Sequence, residues 1–104
     1  MEKENLLNQL SNEIDYYLIL IPNSVRYTEY HEKEAIGILN YVIEVFQKNK
    51  ITDTPILHEI KEDLKYLDHC KGLTNHAKDA HFAWVINKIE KDLKKAKNIQ
   101  SQSG

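Results

Sequence analysis

The 104-residue chain contains little cysteine, glycine and proline, and each shortage excludes a class of protein. A single cysteine, Cys70, excludes an internal disulfide and is typical of proteins in a reducing compartment. Three glycines and two prolines exclude a glycine-rich phosphate loop and a Pro/Gly-rich disordered chain. No apolar run approaches the roughly 18 residues that a membrane span needs, and the acidic N-terminus does not resemble a secretory signal. We therefore expect a cytoplasmic protein with no membrane partner.

Charge is nearly balanced overall, at −2, but it is unevenly distributed. Residues 1–47 carry eight acidic and three basic side chains, whereas residues 48–104 carry eight acidic and eleven basic ones. Such asymmetry favours self-association, so we expect a homo-oligomer. It is too small to indicate a general nucleic-acid binder, whose domain is usually strongly basic.

Four segments carry apolar residues at three- and four-residue steps, which is the period of an amphipathic helix. These stripes are Leu6–Ile21, His31–Phe46, Leu57–Leu67 and Phe82–Ala96. The connections are short, so consecutive helices are expected to be antiparallel neighbours. We predict an all-α, four-helix up-down-up-down bundle over residues 1–97, followed by a disordered tail at 98–104. The alternative is a three-helix core with a mobile or exchanged first helix.

Breaker and capping residues mark the ends of these helices. Pro22-Asn23-Ser24 follows the first stripe, and either Ser24 or Thr28 is the expected N-cap of the second helix. Thr54 and Pro55 form a typical start for the third helix, since proline in the first turn loses no hydrogen bond. Gly72 is the expected left-handed C-cap of that helix.

The sharpest chemical signal is RYTEYH at residues 26–31, because Arg26 is the only arginine beside 13 lysines. A guanidinium can form two parallel bonds to a carboxylate or phosphate, and it stacks on aromatic rings. Tyr27 and Tyr30 supply rings and hydroxyls, while His31 titrates near neutral pH. The stretch also lies at a predicted helix N-terminus, where free amides favour anions. We interpret these four side chains as a binding site for an anionic small ligand, such as a nucleotide, or for an anionic group of a partner.

Two alternatives apply to the same stretch. Arg26 can pair with Glu29 or Glu34 and fix the loop to the bundle. The spacing of Arg26 and His31 also resembles the R-x4-6-H motif of HEPN domains. That resemblance implies a helical bundle with metal-independent ribonuclease activity, in which arginine and histidine promote attack of the RNA 2′-hydroxyl on the adjacent phosphate, usually across a dimer.

A second group of polar residues has side-chain types that bind zinc. It comprises Asp68, His69, Cys70, His76, Asp79 and His81. The sequence contains no CxxC or HExxH motif and no pair of Glu-x-x-His motifs, and His76 and His81 are too far apart to share one helix face. We expect no metal ligands and no cofactor, with a metal-binding bundle as the alternative.

Exposed aromatic residues are typical anchors of protein interfaces. We predict Tyr16, Tyr17, Tyr66 and Trp84 as interface residues, although Trp84 lies among alanines and core packing is its alternative. No catalytic motif is present, so we expect no enzyme. The sequence favours a binding or inhibitor protein that captures a partner protein or a phosphate-bearing ligand stoichiometrically. Bacterial or phage antagonists, immunity proteins and regulatory factors are proteins of this style.

Overall fold

The computed structural model describes residues 2–20, 26–51 and 54–102, and these ranges contain four α-helices and no strand. The helices are α1 (Glu2–Leu20), α2 (Glu29–Lys48), α3 (Pro55–Cys70) and α4 (Asn75–Gln102). The prediction of an all-α four-helix bundle is confirmed. No helix in these ranges has the combination of length and apolar character that crossing a bilayer requires.

Each helix packs against the next one in sequence, and α1 also packs against α4, which closes the bundle. α3 and α4 are antiparallel, since Lys88 contacts Glu59 while Cys70, at the other end of α3, contacts Lys78. The segment before α2 contacts the first turns of α4, so these two helices start at the same end of the bundle. This arrangement places α1 and α2 side by side on one face and α3 and α4 on the opposite face.

The first helix is part of the core, because Leu10, Ile14 and Tyr17 are buried in it. Burial of these side chains agrees with the four-helix prediction and not with the three-helix alternative. Tyr17, which we predicted as an interface residue, is thus covered by its own chain. Most core side chains of the other helices lie on the predicted stripes, among them Ala35, Leu39, Val42, Phe46, Ile60, Leu67, Phe82, Val85, Ile89 and Leu93.

Threonine caps begin α2 and α3, as the sequence predicts. The Thr28 hydroxyl accepts a hydrogen bond from the His31 amide at 3.0 Å, and the Thr54 hydroxyl accepts one from the Leu57 amide at 3.2 Å. Each bond satisfies an amide that has no partner within its helix. The alternative cap Ser24 and the breaker at residues 22–24 lie outside the described residues.

The left-handed residues are not where the sequence placed them. Gly72 was predicted to be left-handed and is not. α3 ends instead in three successive i→i+3 hydrogen bonds, donated by the amides of Lys71, Gly72 and Leu73, and Lys71 is right-handed. Instead, Lys50 has φ 60° after α2, and Asn75 has φ 54° at the start of α4. The Lys50 amide donates to Gln47 and the Ile51 amide to Phe46, which is a Schellman motif.

The last helix is longer than the sequence indicated. α4 continues to Gln102, past residue 97 where we placed the end of the bundle. The described part of the predicted tail, residues 98–102, is therefore helical, and a domain boundary at residue 97 stays a prediction.

Candidate functional site

Tyr27 ties the segment before α2 to α4. Its backbone amide donates to Asp79 Oδ1 at 3.0 Å, and its ring packs edge-on against Phe82 with the centroids 5.3 Å apart. The Lys78 ammonium lies 3.9 Å from the centroid of the same ring. Burial, followed by the charge of the Glu32 carboxylate, raises the pKa of the Tyr27 hydroxyl. Tyr27 thus fixes the loop, which is the role that the sequence left open for Arg26.

The other three residues of the predicted anion site lie around the first turn of α2. Arg26 is exposed and forms no ion pair with Glu29, Glu34 or any other residue that the structure describes. The exposed Tyr30 ring lies edge-on to the His31 ring, 5.6 Å between centroids. His31 Nδ1 is buried and has no hydrogen-bond partner among the described groups. Anion binding by these residues stays a prediction, with Tyr27 engaged elsewhere.

The predicted interface residues separate onto two helix pairs. Tyr66 and Trp84 contact each other between α3 and α4, with their ring centroids 5.1 Å apart. Trp84 is 51% exposed and stacks on His81 at 5.8 Å, so its alternative assignment as a core residue is wrong. Tyr16 lies on the opposite face, on α1, and is 62% exposed.

The residues with zinc-binding side chains have other contacts. The Cys70 thiol donates to the Lys78 carbonyl, and burial raises the pKa of this thiol. His81 Nε2 lies 3.0 Å from the Tyr66 carbonyl oxygen, so this nitrogen carries the proton, and the His69 and His81 rings pack edge-on with their centroids 5.1 Å apart. Within the described ranges, no group of three or more His, Cys, Asp or Glu side chains is arranged to hold a metal ion.

A groove of about 460 Å³ runs between α1 and α2, on the face opposite Tyr66 and Trp84. Three tyrosine rings and two aliphatic side chains form much of its wall. The lining residues are Glu13, Tyr16, Tyr17, Leu20, Lys33, Glu34, Gly37, Ile38 and Tyr41. This combination of aromatic, aliphatic and carboxylate groups suits a protein segment with an apolar face.

Gly37 lies within α2 and lines this groove. A Cβ atom added at this position meets no atom within 4 Å, and the residue does not have a positive φ. Neither packing nor backbone conformation therefore requires glycine here. Glycine in a helix interior is less stable than alanine by about 0.5–1 kcal/mol, so the fold loses stability at this position.

Large apolar side chains are concentrated at the end of α1, beside the groove. Among the described residues, five large apolar side chains are exposed, and Tyr16, Ile19 and Leu20 are three of them. Ile19 is the most exposed, at 78%. Clustered exposure of this kind on a small protein marks an interaction surface more often than scattered single residues do.

The groove has an acidic rim. Of the three charged side chains that line it, Glu13 and Glu34 are acidic and Lys33 is basic. Glu34 adds to burial in raising the pKa of the Tyr17 hydroxyl, and Glu13 does the same for Tyr41. The tyrosine hydroxyls thus stay protonated donors beside carboxylates.

A partly buried ionic cluster between α3 and α4 was not predicted from the sequence. The Lys88 ammonium contacts Glu59 at 2.6 Å, Asp92 at 2.8 Å and Asp63 at 2.9 Å. Burial alone lowers the pKa of Lys88, but the hydrogen bonds to these carboxylates raise it above its ordinary value. Asp63 and Asp92 occupy helical positions three residues after Ile60 and Ile89, and this spacing on the apolar stripes was the available signal.

No protein family, no curated protein and no solved structure matches the chain. The resemblance to HEPN domains covers residues 26–31.

Proposed function

We propose that this chain is a non-enzymatic binding protein that captures a partner protein stoichiometrically in the groove between α1 and α2. Gly37 carries the proposal. A glycine that weakens its own helix, and that no neighbour or dihedral angle requires, is suited to the close approach of another backbone. The groove it opens is the place where such a backbone would lie.

The walls of the groove support the same function. Tyr16 and Leu20 project from α1 with much of their surface exposed, and Tyr41 stands on α2. Tyrosine is enriched among the residues that dominate binding energy, because it buries a large rigid ring and keeps a hydroxyl donor. An inhibitor, immunity protein, phage antagonist or regulatory factor works by such capture. Self-association, expected from the charge asymmetry, remains a prediction.

A second candidate function is binding of a phosphate-bearing small ligand at the start of α2. Arg26 favours it, because this exposed guanidinium has no ion-pair partner in the described part of the chain. His31 Nδ1 is a further unsatisfied polar atom nearby. HEPN-like RNA cleavage by Arg26 and His31 is the enzymatic version of this candidate. No observation favours a metal-binding bundle.

Substitutions of two tyrosines with nearly equal exposed fractions distinguish the two candidate functions. Tyr16 in the groove is 62% exposed, and Tyr30 at the start of α2 is 63% exposed. We expect Tyr16→Ala to abolish capture of the partner that the wild-type protein retains from cells, with native mass spectrometry giving its identity and stoichiometry. Tyr30→Ala is expected to retain it. The opposite pattern would transfer the function to the start of α2.

A further inference from the structure

We infer that the groove between α1 and α2 accepts a cationic amphipathic helix of the partner, and that Glu13 and Glu34 select it by charge. The inference rests on the proposed function and adds the chemical class of the partner. Its first support is the charge of the groove lining, in which two carboxylates, Glu13 and Glu34, outnumber the single ammonium of Lys33. Complementary charge at an interface directs association and rejects partners of the wrong sign.

The carboxylates at the rim are available for this role. Glu13 and Glu34 form no ion pair with any residue that the structure describes, whereas Glu44, farther along α2, pairs with Lys48 at 3.0 Å. Lys33 is the one basic residue of the lining. A partner helix with lysines or arginines flanking its apolar face would therefore meet two unpaired carboxylates and one ammonium.

The shape of the groove suits a helix rather than an extended strand. Two helices in contact lie about 8–10 Å apart, and a residue without a side chain at the crossing point permits the shorter distance. Gly37 supplies that point, and the aromatic walls can receive side chains spaced i, i+3 and i+4. An extended strand would instead need an unpaired sheet edge, and the described residues contain no sheet.

A second copy of this chain is a poorer occupant. Its most basic helix, α4, contains six basic and three acidic residues. However, Phe82, Val85, Ile86, Ile89 and Leu93 are buried against its own bundle, and Trp84 is the one large apolar side chain of this stretch that is exposed. A second copy thus offers lysines beside one exposed ring, and not the continuous apolar face of an amphipathic helix.

The probe is a fluorescein-labelled Leu/Lys amphipathic peptide of about 18 residues, compared with a Leu/Glu peptide of equal length by fluorescence anisotropy. We expect the Leu/Lys peptide to bind at least roughly tenfold more tightly. Glu13→Gln combined with Glu34→Gln should remove most of this preference. Glu29→Gln is the matched control, because Glu29 is exposed on α2, unpaired among described residues and outside the lining, and it should change nothing.

Failure of the charge inference and failure of the groove can be told apart with Gly37→Leu. If Gly37→Leu weakens both peptides equally and the wild-type protein shows no charge preference, the groove binds helices but the inference about charge is wrong. If binding of neither peptide responds to Gly37→Leu or to Tyr16→Ala, while circular dichroism confirms folding, the groove is not the site and both claims fail. If Glu29→Gln reduced the affinity for the Leu/Lys peptide as much as the double variant does, the preference would result from the general charge of the protein, and the inference would be overturned. Self-association that Gly37→Leu abolishes would make a second copy the occupant and overturn it too.

Discussion

The Lys88 ammonium lies 2.9 Å from Oδ1 of Asp63, whose side chain is completely buried between α3 and α4. Asp92 and Glu59 contact the same ammonium, so three carboxylates share one cation. Burial, followed by the hydrogen bond with Asp92, raises the pKa of Asp63 to about 8, although Lys88 acts in the opposite direction. Carboxylates held this close do not all ionise readily, because each disfavours the charge of the next.

Stability is expected to fall as pH rises toward 8. Asp63 has a pKa of 3.8 when unperturbed and about 8 in the fold, so the folded state binds more protons than the unfolded state between these values. The protonated Asp63 carboxyl therefore contributes to the free energy of unfolding at low pH, and this contribution is lost as the pH rises toward the pKa in the folded state. Urea denaturation at several pH values should show this fall in the wild type and a flatter profile in Asp63→Asn. Parallel profiles would mean that Asp63 is ionised in the fold.

Lys50→Gly is expected to stabilise the protein. Lys50 holds φ at 60° in the Schellman motif that ends α2, a conformation that glycine adopts without steric cost. The expected gain is about 1 kcal/mol in the free energy of unfolding. Gln47→Gly, three residues earlier in the helix, serves as control and should lose stability. Equal losses in both variants would argue against a left-handed Lys50.

Ile14→Ala tests whether the first helix belongs to the core. Ile14 is fully buried, whereas Ile19 on the same helix is 78% exposed. We expect Ile14→Ala to lower the free energy of unfolding by about 3 kcal/mol, through lost burial and the cavity left behind. Ile19→Ala should change stability little. Similar small effects of the two substitutions would favour the three-helix alternative.

Arg26→Lys tests the anion site at the start of α2. A lysine keeps the charge but cannot form two parallel hydrogen bonds to a phosphate. If a nucleotide such as ATP binds here, Arg26→Lys should weaken it by about 2 kcal/mol, or roughly thirtyfold, without changing the melting temperature. A drop in melting temperature with unchanged affinity would assign Arg26 a structural role.

The HEPN alternative has a separate outcome. It requires cleavage of single-stranded RNA in the presence of EDTA, and loss of that cleavage in His31→Ala. Our proposal expects no cleavage by the purified wild-type protein. Metal-independent cleavage that His31→Ala abolishes would make the protein an enzyme.

The fold was predictable because its determinants are local in sequence. Apolar side chains at helical spacing define four faces, and the threonine hydroxyls of Thr28 and Thr54 cap two of the helices within a few residues. The C-terminal ends were less predictable. Glycine at position 72 signals a left-handed residue only statistically, and the turns that follow α3 did not require one.

The functional surfaces depend on which helices become neighbours, and periodicity does not supply that. Leu64 lies within the third apolar stripe, Leu57–Leu67, but it is only half-buried, and the neighbouring Asp63 is the fully buried residue. The free-energy cost of burying the Asp63 carboxyl group is offset by its hydrogen bond with Lys88, which lies on another helix, 25 residues away in the sequence. The position of Gly37 in a groove likewise could not be predicted, because the groove exists only where α1 packs beside α2.

The most direct test of partner capture in the groove is the affinity of Gly37→Leu for the identified partner, measured together with its melting temperature. Leucine is a strong helix former, and the first added atom has open space, so the melting temperature should hold or rise. The same side chain would fill the groove, and we expect affinity to fall at least roughly tenfold. Unchanged affinity in this folded variant would contradict capture through the α1/α2 groove.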